Sequence, residues 1–164
     1  MNEIARRPVR QGRVVDMAFS LEVARPVAAV WRIVADLPRF GCYDPFHRRI
    51  IVMGPRLERG VDLAIEHRFA GVAFWRFGRV LRWREGESLA FSDISAGGER
   101  TGFPHVFFVK VGAHPQCAAH TLLAIRVRGR WTARWIPHPL AWLWLRFICV
   151  WHARLLKRAF GQSL

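Results

Sequence analysis

The residues with the clearest chemical potential are three ionisable side chains at inward positions of predicted strands. His67, Asp93 and His105 each take a core-facing place in an alternating apolar pattern. A buried carboxylate or imidazole is costly unless it is paired or hydrogen-bonded, so these residues need partners or a ligand. They could orient the polar end of an apolar ligand, or act as acid and base on an enolisable substrate. The alternative is a pair of satisfied core histidines and an Asp93 that faces water.

Whether a fourth polar residue, Arg79, joins this cluster depends on the glycine before it. Gly78 can mark a β-bulge, and one inserted residue would reverse the side of the strand to which Arg79 points. The sequence leaves this facing open. The catalytic candidates are therefore His67, Asp93 and His105, with Arg79 as a further polar residue of the same region.

Local motifs for metal, cofactor or covalent chemistry are absent from the sequence. His105, His114 and His120 are nine and six residues apart, which matches no common metal-binding motif. Cys149 and His152 stand three residues apart, a spacing that is common by chance. No CxxC, GxSxG or glycine-rich nucleotide-binding pattern occurs. We expect neither a metal ion nor a cofactor.

Hydrophobic alternation and turn residues predict one strand, a helix, six more strands and a long final helix. The predicted strands cover residues 15–23, 47–53, 61–69, 74–84, 89–95, 103–111 and 119–128. The predicted helices begin at Pro26 and Pro137, because proline is tolerated in a first helical turn, and they end near residues 37 and 160. The strands are grouped together along the chain rather than alternating with helices, and this order favours an α+β domain with one twisted antiparallel sheet.

Several short motifs occur in an order that resembles the SRPBCC superfamily. They are Val30-Trp31 in the first helix, an aromatic loop before Pro45, Gly60 before a strand, and Gly78-Arg79-Val80 in the next strand. This helix-grip superfamily includes START-type lipid carriers and polyketide cyclase/dehydrase-like proteins. The resemblance spans residues 14–160 as a single domain and implies a curved seven-stranded antiparallel sheet wrapped around the long C-terminal helix. Residues 1–13 would be a basic, flexible lead-in and residues 161–164 a short tail.

In that superfamily the sheet and the last helix enclose an apolar cavity, and the resemblance implies one here. Six aromatic residues are expected to line or fill the space: Trp75, Phe77, Phe91, Phe107, Trp142 and Phe147. Tyr43 lies in the loop after the first helix, where the rim of such cavities lies. A filled core would give the same sequence pattern. The predicted ligand-binding residues are Tyr43, His67, Trp75, Phe91, Asp93, His105, Phe107 and Phe147.

The positive charge is concentrated towards the C-terminal end. The formal net charge is +14, and residues 101–164 contain no Asp or Glu. Arg126, Arg128 and Arg130 alternate along the last predicted strand, where Asp16 and Glu22 of the neighbouring first strand could offset them. A solvated basic face and an anionic membrane partner both fit this pattern. Nucleic acid fits less well, because no nucleic-acid-binding motif occurs and the aromatic residues are expected inside.

The final predicted helix is apolar around most of its circumference. One stripe consists of Leu140, Leu143, Trp144, Phe147, Trp151 and Leu155, and a second of Trp142, Leu145, Cys149 and His152. One stripe can pack against the sheet, which leaves the other for a lipid interface or a homodimer. The apolar run 136–151 is too short for a membrane span and contains Arg146. With no signal-peptide pattern and no paired cysteines, we expect a cytoplasmic protein, at most peripheral to the membrane.

The sequence therefore favours binding or carriage of a small hydrophobic or amphipathic molecule between the sheet and the C-terminal helix. One alternative is a cyclase- or dehydratase-like enzyme that uses His67, Asp93 or His105 on a polyketide-type substrate. The other is a basic module that binds a membrane surface or another subunit.

Overall fold

The computed structural model describes residues 13–69, 71–95, 102–132 and 136–161. The predicted basic lead-in and C-terminal tail lie outside these ranges, except for residues 13 and 161, which belong to the first strand and the last helix. The elements in chain order are β1 (Arg13–Val23), α1 (Val27–Ala35), α2 (Leu37–Gly41), β2 (His47–Val52), β3 (Asp62–Phe69), β4 (Val72–Arg84), β5 (Ser88–Ser95), β6 (His105–His114), β7 (Cys117–Trp131) and α3 (His138–Gly161).

The seven strands form one antiparallel sheet in the order β1-β7-β6-β5-β4-β3-β2. Every strand after β1 lies beside the strand that precedes or follows it in the chain, and β1 closes the order by pairing with β7. Strands that are neighbours in sequence can pair through short turns, which is why an antiparallel arrangement follows from this element order. The predicted α+β class, with a seven-stranded antiparallel sheet and a long C-terminal helix, is confirmed.

The first helical region differs from the prediction in one detail. Pro26 precedes α1, and Val30 and Val34 lie one turn apart on its buried face. The following segment, expected to be a loop, instead forms the short helix α2. The side chain of Asp36 accepts a hydrogen bond from the backbone N–H of Arg39 at 3.3 Å, which caps the start of α2.

The two halves of α3 have different surroundings. Leu156 and Phe160, in the C-terminal half, belong to the main hydrophobic core that α1, α2 and the sheet share. Ala141 and Ile148, in the N-terminal half, and His152, just past the middle of the helix, are the other buried residues and face the sheet. The main core therefore fills one end of the fold, and the N-terminal half of α3 covers the other end.

The second predicted stripe of α3, apart from Trp142, is the one that faces the sheet. The first predicted stripe is instead largely in solvent, and its large exposed members are Leu140, Leu143, Trp144, Phe147 and Trp151. Trp142 is also exposed. Among the described helices, none is both long enough and apolar enough to cross a bilayer.

On the outer face of the β1–β7 pair, acidic residues of β1 neutralise part of the positive charge of β7. Asp16 accepts hydrogen bonds from Arg126, at 2.7 Å from Oδ1 to Nε, and lies 3.7 Å from Nε of Arg128. Glu22 lies 2.7 Å from Nδ1 of His120. The neighbouring first strand thus offsets some of the cations of the last one.

Candidate functional site

A cavity of about 340 Å³ lies between the sheet and the N-terminal half of α3. Its apolar wall comes from β1, β7, α3 and the segments before β6 and α3, with Val15, Met17, Val127, Trp131, Ile136, Leu140, Ala141, Trp144, Leu145 and Ile148 among the lining residues. The exposure of Leu140 and Trp144 shows that the cavity opens to the surface beside α3.

One end of this cavity is polar, because three histidines converge there on a single carboxylate. Asp93 has no exposed surface. Its Oδ2 atom lies 2.8 Å from Nε2 of His67, 3.6 Å from Nε2 of His47 and 3.7 Å from Nε2 of His105. The three imidazoles line the cavity, and the carboxylate lies behind them.

The strand register explains why these four residues meet. His47 on β2 is directly opposite His67 on β3, and Asp93 on β5 is directly opposite His105 on β6. Directly opposite residues of an antiparallel pair point to the same side of the sheet. The two pairs are separated only by β4, so five adjacent strands bring the cluster together.

The strand between the two pairs contributes Arg76. Its Nε donates to Oδ1 of Asp93 at 2.5 Å, and one of its terminal nitrogens donates to the backbone carbonyls of Asp93 at 3.1 Å and Phe103 at 3.3 Å. The guanidinium therefore binds one carboxylate oxygen and leaves the other to the histidines. Buried ion pairs with such additional hydrogen bonds fix the geometry of both partners.

A close approach of β4 and β5 supports this arrangement. A Cβ atom at Gly78 would lie 1.8 Å from the backbone oxygen of Ser92, next to Asp93. Only a glycine leaves room for the two strands at this point. The register shift of β4 lies further along, between Val80 and Arg82, so Gly78 itself is not the bulge.

The electrostatics of the cluster favour a charged Asp93. Burial raises the pKa of Asp93, but the neighbouring His105, His47 and His67 outweigh it and hold that pKa well below the usual range. Burial likewise lowers the pKa of His47, yet Asp44 and Asp93 reverse this and raise it above its ordinary value. For His105 burial is the larger effect, and its pKa is lowered despite Asp93.

A second polar pair, Asp44 and His152, lines the cavity at the α3 side. Oδ2 of Asp44 lies 3.7 Å from Nδ1 of His152, and its Oδ1 accepts a hydrogen bond from the backbone N–H of Phe46 at 2.9 Å. Burial raises the pKa of Asp44, but His47 and His152 hold it below its usual value. Burial lowers the pKa of His152 to about 4, so this imidazole is neutral at pH 7.

Three of the predicted site residues come together as one cluster: His67, Asp93 and His105. Asp93 does not face water; Arg76 donates a hydrogen bond to it, and the three imidazoles are its other polar neighbours. Arg79 is not part of the cluster, because it points to the outer face of β4, where its Nε donates to Asp62 at 2.6 Å. Since Gly78 faces inward without a bulge, Arg79 must face outward.

Several predicted aromatic residues are not cavity residues. Trp75 and Phe77 point outward from β4, because the inward positions of that strand are occupied by Phe74, Arg76 and Gly78. Phe147 and Trp142 lie on exposed parts of α3. Tyr43 does not line the cavity, because it packs against Phe40 in the neighbouring core, with ring centroids 6.5 Å apart.

Phe91 and Phe107 lie beneath the cluster rather than in the cavity wall. Both are fully buried, and their rings stack with centroids 5.2 Å apart. The ring of His47 packs against both of them, at 6.3 Å and 6.5 Å. They therefore form an apolar support for the histidine cluster.

Sequence reasoning missed His47, Arg76, Asp44 and His152 as members of the site. A register shift between His47 and Arg49 breaks the alternation of β2, so both His47 and Ile50 are buried although they are three residues apart. Arg76 could have been found from the alternation of β4, had Gly78 been read as an inward position. His152 was predicted only as a member of the second stripe of the final helix and as a neighbour of Cys149, not as a site residue.

No protein-family model matches the sequence, and no curated protein matches it significantly. Among solved structures the fold is similar to a START superfamily protein from Mycobacterium smegmatis, with 14% identity, a TM-score of 0.71, and coverage of 91% of this chain and 99% of the other. It is similar to Ara h 8.0201, at 11% identity and TM-score 0.66, over 92% and 100% of the two chains. It is also similar to DR_A0006 from Deinococcus radiodurans, at 11% identity and TM-score 0.64, over 91% and 97%. The chain therefore has the START-type helix-grip fold.

Proposed function

We propose that the protein binds and carries a small amphipathic molecule in the cavity under α3. The main support is a cavity of about 340 Å³ that is apolar except at one end. At that end His47, His67, His105 and Arg76 surround Asp93. Ligand sites of small molecules are typically concave, mostly apolar and supplied with a few convergent polar groups, and this volume is within their usual range.

The two ends of the cavity define the ligand class. The apolar wall between β1, β7 and α3 takes a hydrocarbon or aromatic body. The imidazole and guanidinium groups at the other end take an oxygen-bearing head such as a hydroxyl, carbonyl or carboxyl. A ligand without such a head would desolvate these polar groups without replacing their hydrogen bonds, which is unfavourable.

The test combines extraction with a matched pair of variants on α3. Mass spectrometry of an organic extract of the natively purified protein should find a small amphipathic molecule. After its removal, the protein should bind a dansylated fatty acid, measured by fluorescence. Leu145→Trp, which fills the cavity wall, should weaken this binding at least tenfold, whereas Leu143→Trp, on the exposed side of the same helix, should not.

Two results would overturn the proposal. One is the absence of both an extracted ligand and probe binding by a folded protein. The other is a probe affinity that Leu145→Trp leaves unchanged while Leu143→Trp lowers it, because binding would then lie on the outer surface of α3.

We further propose that the exposed face of α3 contacts an anionic membrane and that ligand exchange takes place there. Leu140 and Trp144 belong both to this face and to the cavity wall, so the cavity opens at the same surface. The helix carries Arg146, Arg154 and further cations but no carboxylate. An apolar face flanked by cations is typical of helices that lie in the interface of anionic bilayers.

Acid–base catalysis is a second candidate function, and one contact favours it. The imidazole of His67 lines the cavity while its Nε2 lies 2.8 Å from Asp93, the arrangement of a carboxylate-oriented proton-transfer group. The test is turnover of an aromatic polyketide-type substrate followed against pH. A bell-shaped rate profile that disappears in His67→Gln supports a cyclase or dehydratase, and the absence of turnover excludes it for that substrate class.

A further inference from the structure

We propose that His47, His67 and Asp93 form a binding site for a divalent first-row transition metal of the zinc type, with His105 adjoining it. This inference does not rest on the proposed carrier function, although the site lies at the polar end of the same cavity. It goes against the expectation drawn from the sequence, which considered only ligands that are close along the chain.

The donor atoms have the mutual spacing that a metal ion needs. One ligand atom from each of His47, His67 and Asp93 lies within 4.8 Å of the others, and all three residues are buried. In a tetrahedral zinc site with bonds of about 2.0–2.1 Å, ligand atoms are about 3.3–3.4 Å apart. The distances of 2.8 Å and 3.6 Å from Asp93 Oδ2 to the two imidazole nitrogens bracket this value.

His105 is placed to complete the site. Its Nε2 lies 3.7 Å from the same carboxylate oxygen, while its Nδ1 lies 2.8 Å from the backbone carbonyl of Phe103. The carbonyl accepts a hydrogen bond from Nδ1–H, so in the neutral imidazole the proton is on Nδ1 and Nε2 keeps its lone pair, as is usual for metal-binding histidines. His105 is therefore either the fourth ligand or the partner of a metal-bound water.

The carboxylate is also oriented as a ligand. Arg76 binds Oδ1 of Asp93, so only Oδ2 faces the histidines. Within the described part of the chain, Oδ2 is buried and has no hydrogen bond of acceptable geometry, although Nε2 of His67 is close to it. A buried carboxylate oxygen seldom lacks such a partner. A metal ion between it and the imidazoles would satisfy it.

The donor set indicates which metals fit. Imidazole nitrogens with one carboxylate suit zinc, cobalt, nickel, copper or iron(II), whereas calcium and magnesium prefer oxygen ligands alone. Because the three imidazoles line the cavity and Asp93 lies behind them, any open coordination position would face the cavity. Such a metal would bind an oxygen-bearing head group directly.

The experiment measures metal content and metal binding by the full chain. The protein is stripped with a chelator and titrated with Co²⁺, whose visible absorption reports its coordination, and with Zn²⁺ by calorimetry. We expect one equivalent to bind with the intense spectrum of four-coordinate cobalt. His67→Gln and His47→Gln should each lower the affinity at least a hundredfold, with far-UV circular dichroism confirming that both variants fold.

A surface cluster provides the matched control. Glu22 lies 2.7 Å from Nδ1 of His120 and 3.9 Å from Nε2 of His114, so two histidines and a carboxylate also meet on the outside of the sheet. The double variant His114→Gln/His120→Gln should leave the buried metal in place. Loss of binding in this variant, with binding retained in His67→Gln, would overturn the proposal.

If the His47→Gln and His67→Gln variants do not fold, metal binding by the wild-type protein tests the proposal. Failure to bind an equivalent of Co²⁺ or Zn²⁺, or a weak spectrum typical of six-coordinate cobalt, would also overturn it. Binding of the dansylated fatty acid is measured separately on the chelator-stripped protein. Probe binding without metal binding therefore contradicts only the proposed metal site. Metal binding without probe binding contradicts only the proposed carrier function.

Discussion

The guanidinium of Arg76 and the carboxylate of Asp93 form an ion pair inside the fold, with 2.5 Å between Nε and Oδ1. Three residues further along β4, Arg79 forms a similar pair with Asp62, with 2.6 Å between Nε and Oδ1, but both of those side chains are more than half exposed. The same strand thus offers the same interaction in two environments.

Arg76→Gln should destabilise the protein far more than Arg79→Gln. Removal of Arg76 leaves the buried Asp93 with only imidazole partners, and breaking a buried pair costs about 3–5 kcal/mol. The pair of Arg79 lies in water, where such pairs contribute little. The measurement is urea unfolding followed by tryptophan fluorescence. Equal losses of stability in the two variants would show that Asp93 is not held in the way described.

Gly78→Ala should also destabilise the protein, because the new methyl group would meet the backbone of Ser92 at 1.8 Å. Overpacking of this kind typically costs about 1–3 kcal/mol, and here the strands themselves must separate. Gly112→Ala is the control, since a Cβ there has no atom within 4 Å. The thermal midpoint should fall in the first variant and remain near the wild-type value in the second.

The stability of the protein should rise between pH 4 and pH 6.5 because of His152. Burial lowers the pKa of His152 from 6.5 to about 4, so in this range the unfolded chain binds a proton that the folded chain does not. The resulting contribution of His152 to the free energy of unfolding amounts to roughly 3 kcal/mol. It is present in full above pH 6.5 and is lost as the pH falls towards 4.

His152→Phe isolates that contribution. The imidazole packs against Phe19 and Phe107, with ring centroids 5.6 Å and 5.7 Å away, so a phenyl ring suits the site. Urea unfolding at a series of pH values should show that the free energy of unfolding rises less steeply with pH in the variant. The slope should fall by the equivalent of up to one bound proton. An unchanged slope would mean that other groups account for the acid sensitivity.

The sequence alone was enough to predict the fold and to place some residues of the candidate site on the inner face of the sheet, and the local hydrophobic pattern explains why it failed for the others. Regular alternation in β3 and β5 correctly placed His67 and Asp93 on the inner face. It failed at His47, where the register shift puts two buried residues three positions apart. It could not pair His47 with Asp93 either, because their meeting depends on the register of strands that are distant along the chain.

The aromatic residues show a second limit of sequence reasoning. Phe107 and Phe147 are equally apolar, yet one is buried under the histidines and the other is 53% exposed. The α3 helix has apolar residues on most of its sides, so hydrophobic periodicity could not decide which side faces the sheet. The side of α3 that faces the sheet is determined by how the helix packs against β1 and over the cavity.

The exposed face of α3 should determine membrane binding. Leu143→Ser/Phe147→Ser removes two of its apolar side chains, which are 60% and 53% exposed, and should lower binding to vesicles that contain phosphatidylserine. Phe108→Ser changes an exposed apolar residue on the sheet and serves as the control. Vesicle co-sedimentation at low and high salt is the measurement, and binding should fall as salt rises.

Two outcomes would contradict this membrane contact. Equal vesicle binding by the α3 variant and the wild type would remove the role of the helix. A wild-type dimer in sedimentation velocity that becomes monomeric in Leu143→Ser/Phe147→Ser would instead show that a second copy of the chain covers this face.

Cys149 should react slowly with thiol reagents, and a bound ligand should slow it further. Burial, and then the Asp44 carboxylate, raise the pKa of the Cys149 thiol to about 11, whereas the ordinary pKa of an unfolded cysteine is 9.0. At pH 8 this difference lowers the thiolate fraction about a hundredfold, and the thiolate is the reactive form. The side chain also lines the cavity, so a ligand there should cover it.

The measurement uses a Cys42→Ser/Cys117→Ser background, in which Cys149 is the remaining cysteine. Alkylation by iodoacetamide, followed by mass spectrometry, should be about a hundredfold slower in the folded protein than in urea at pH 8, and should accelerate as the pH approaches 11. Addition of the dansylated fatty acid should slow it again in the folded protein only. Rapid alkylation at pH 8 would show that Cys149 is open to solvent, and a rate that saturating probe leaves unchanged would place the probe outside the cavity under α3.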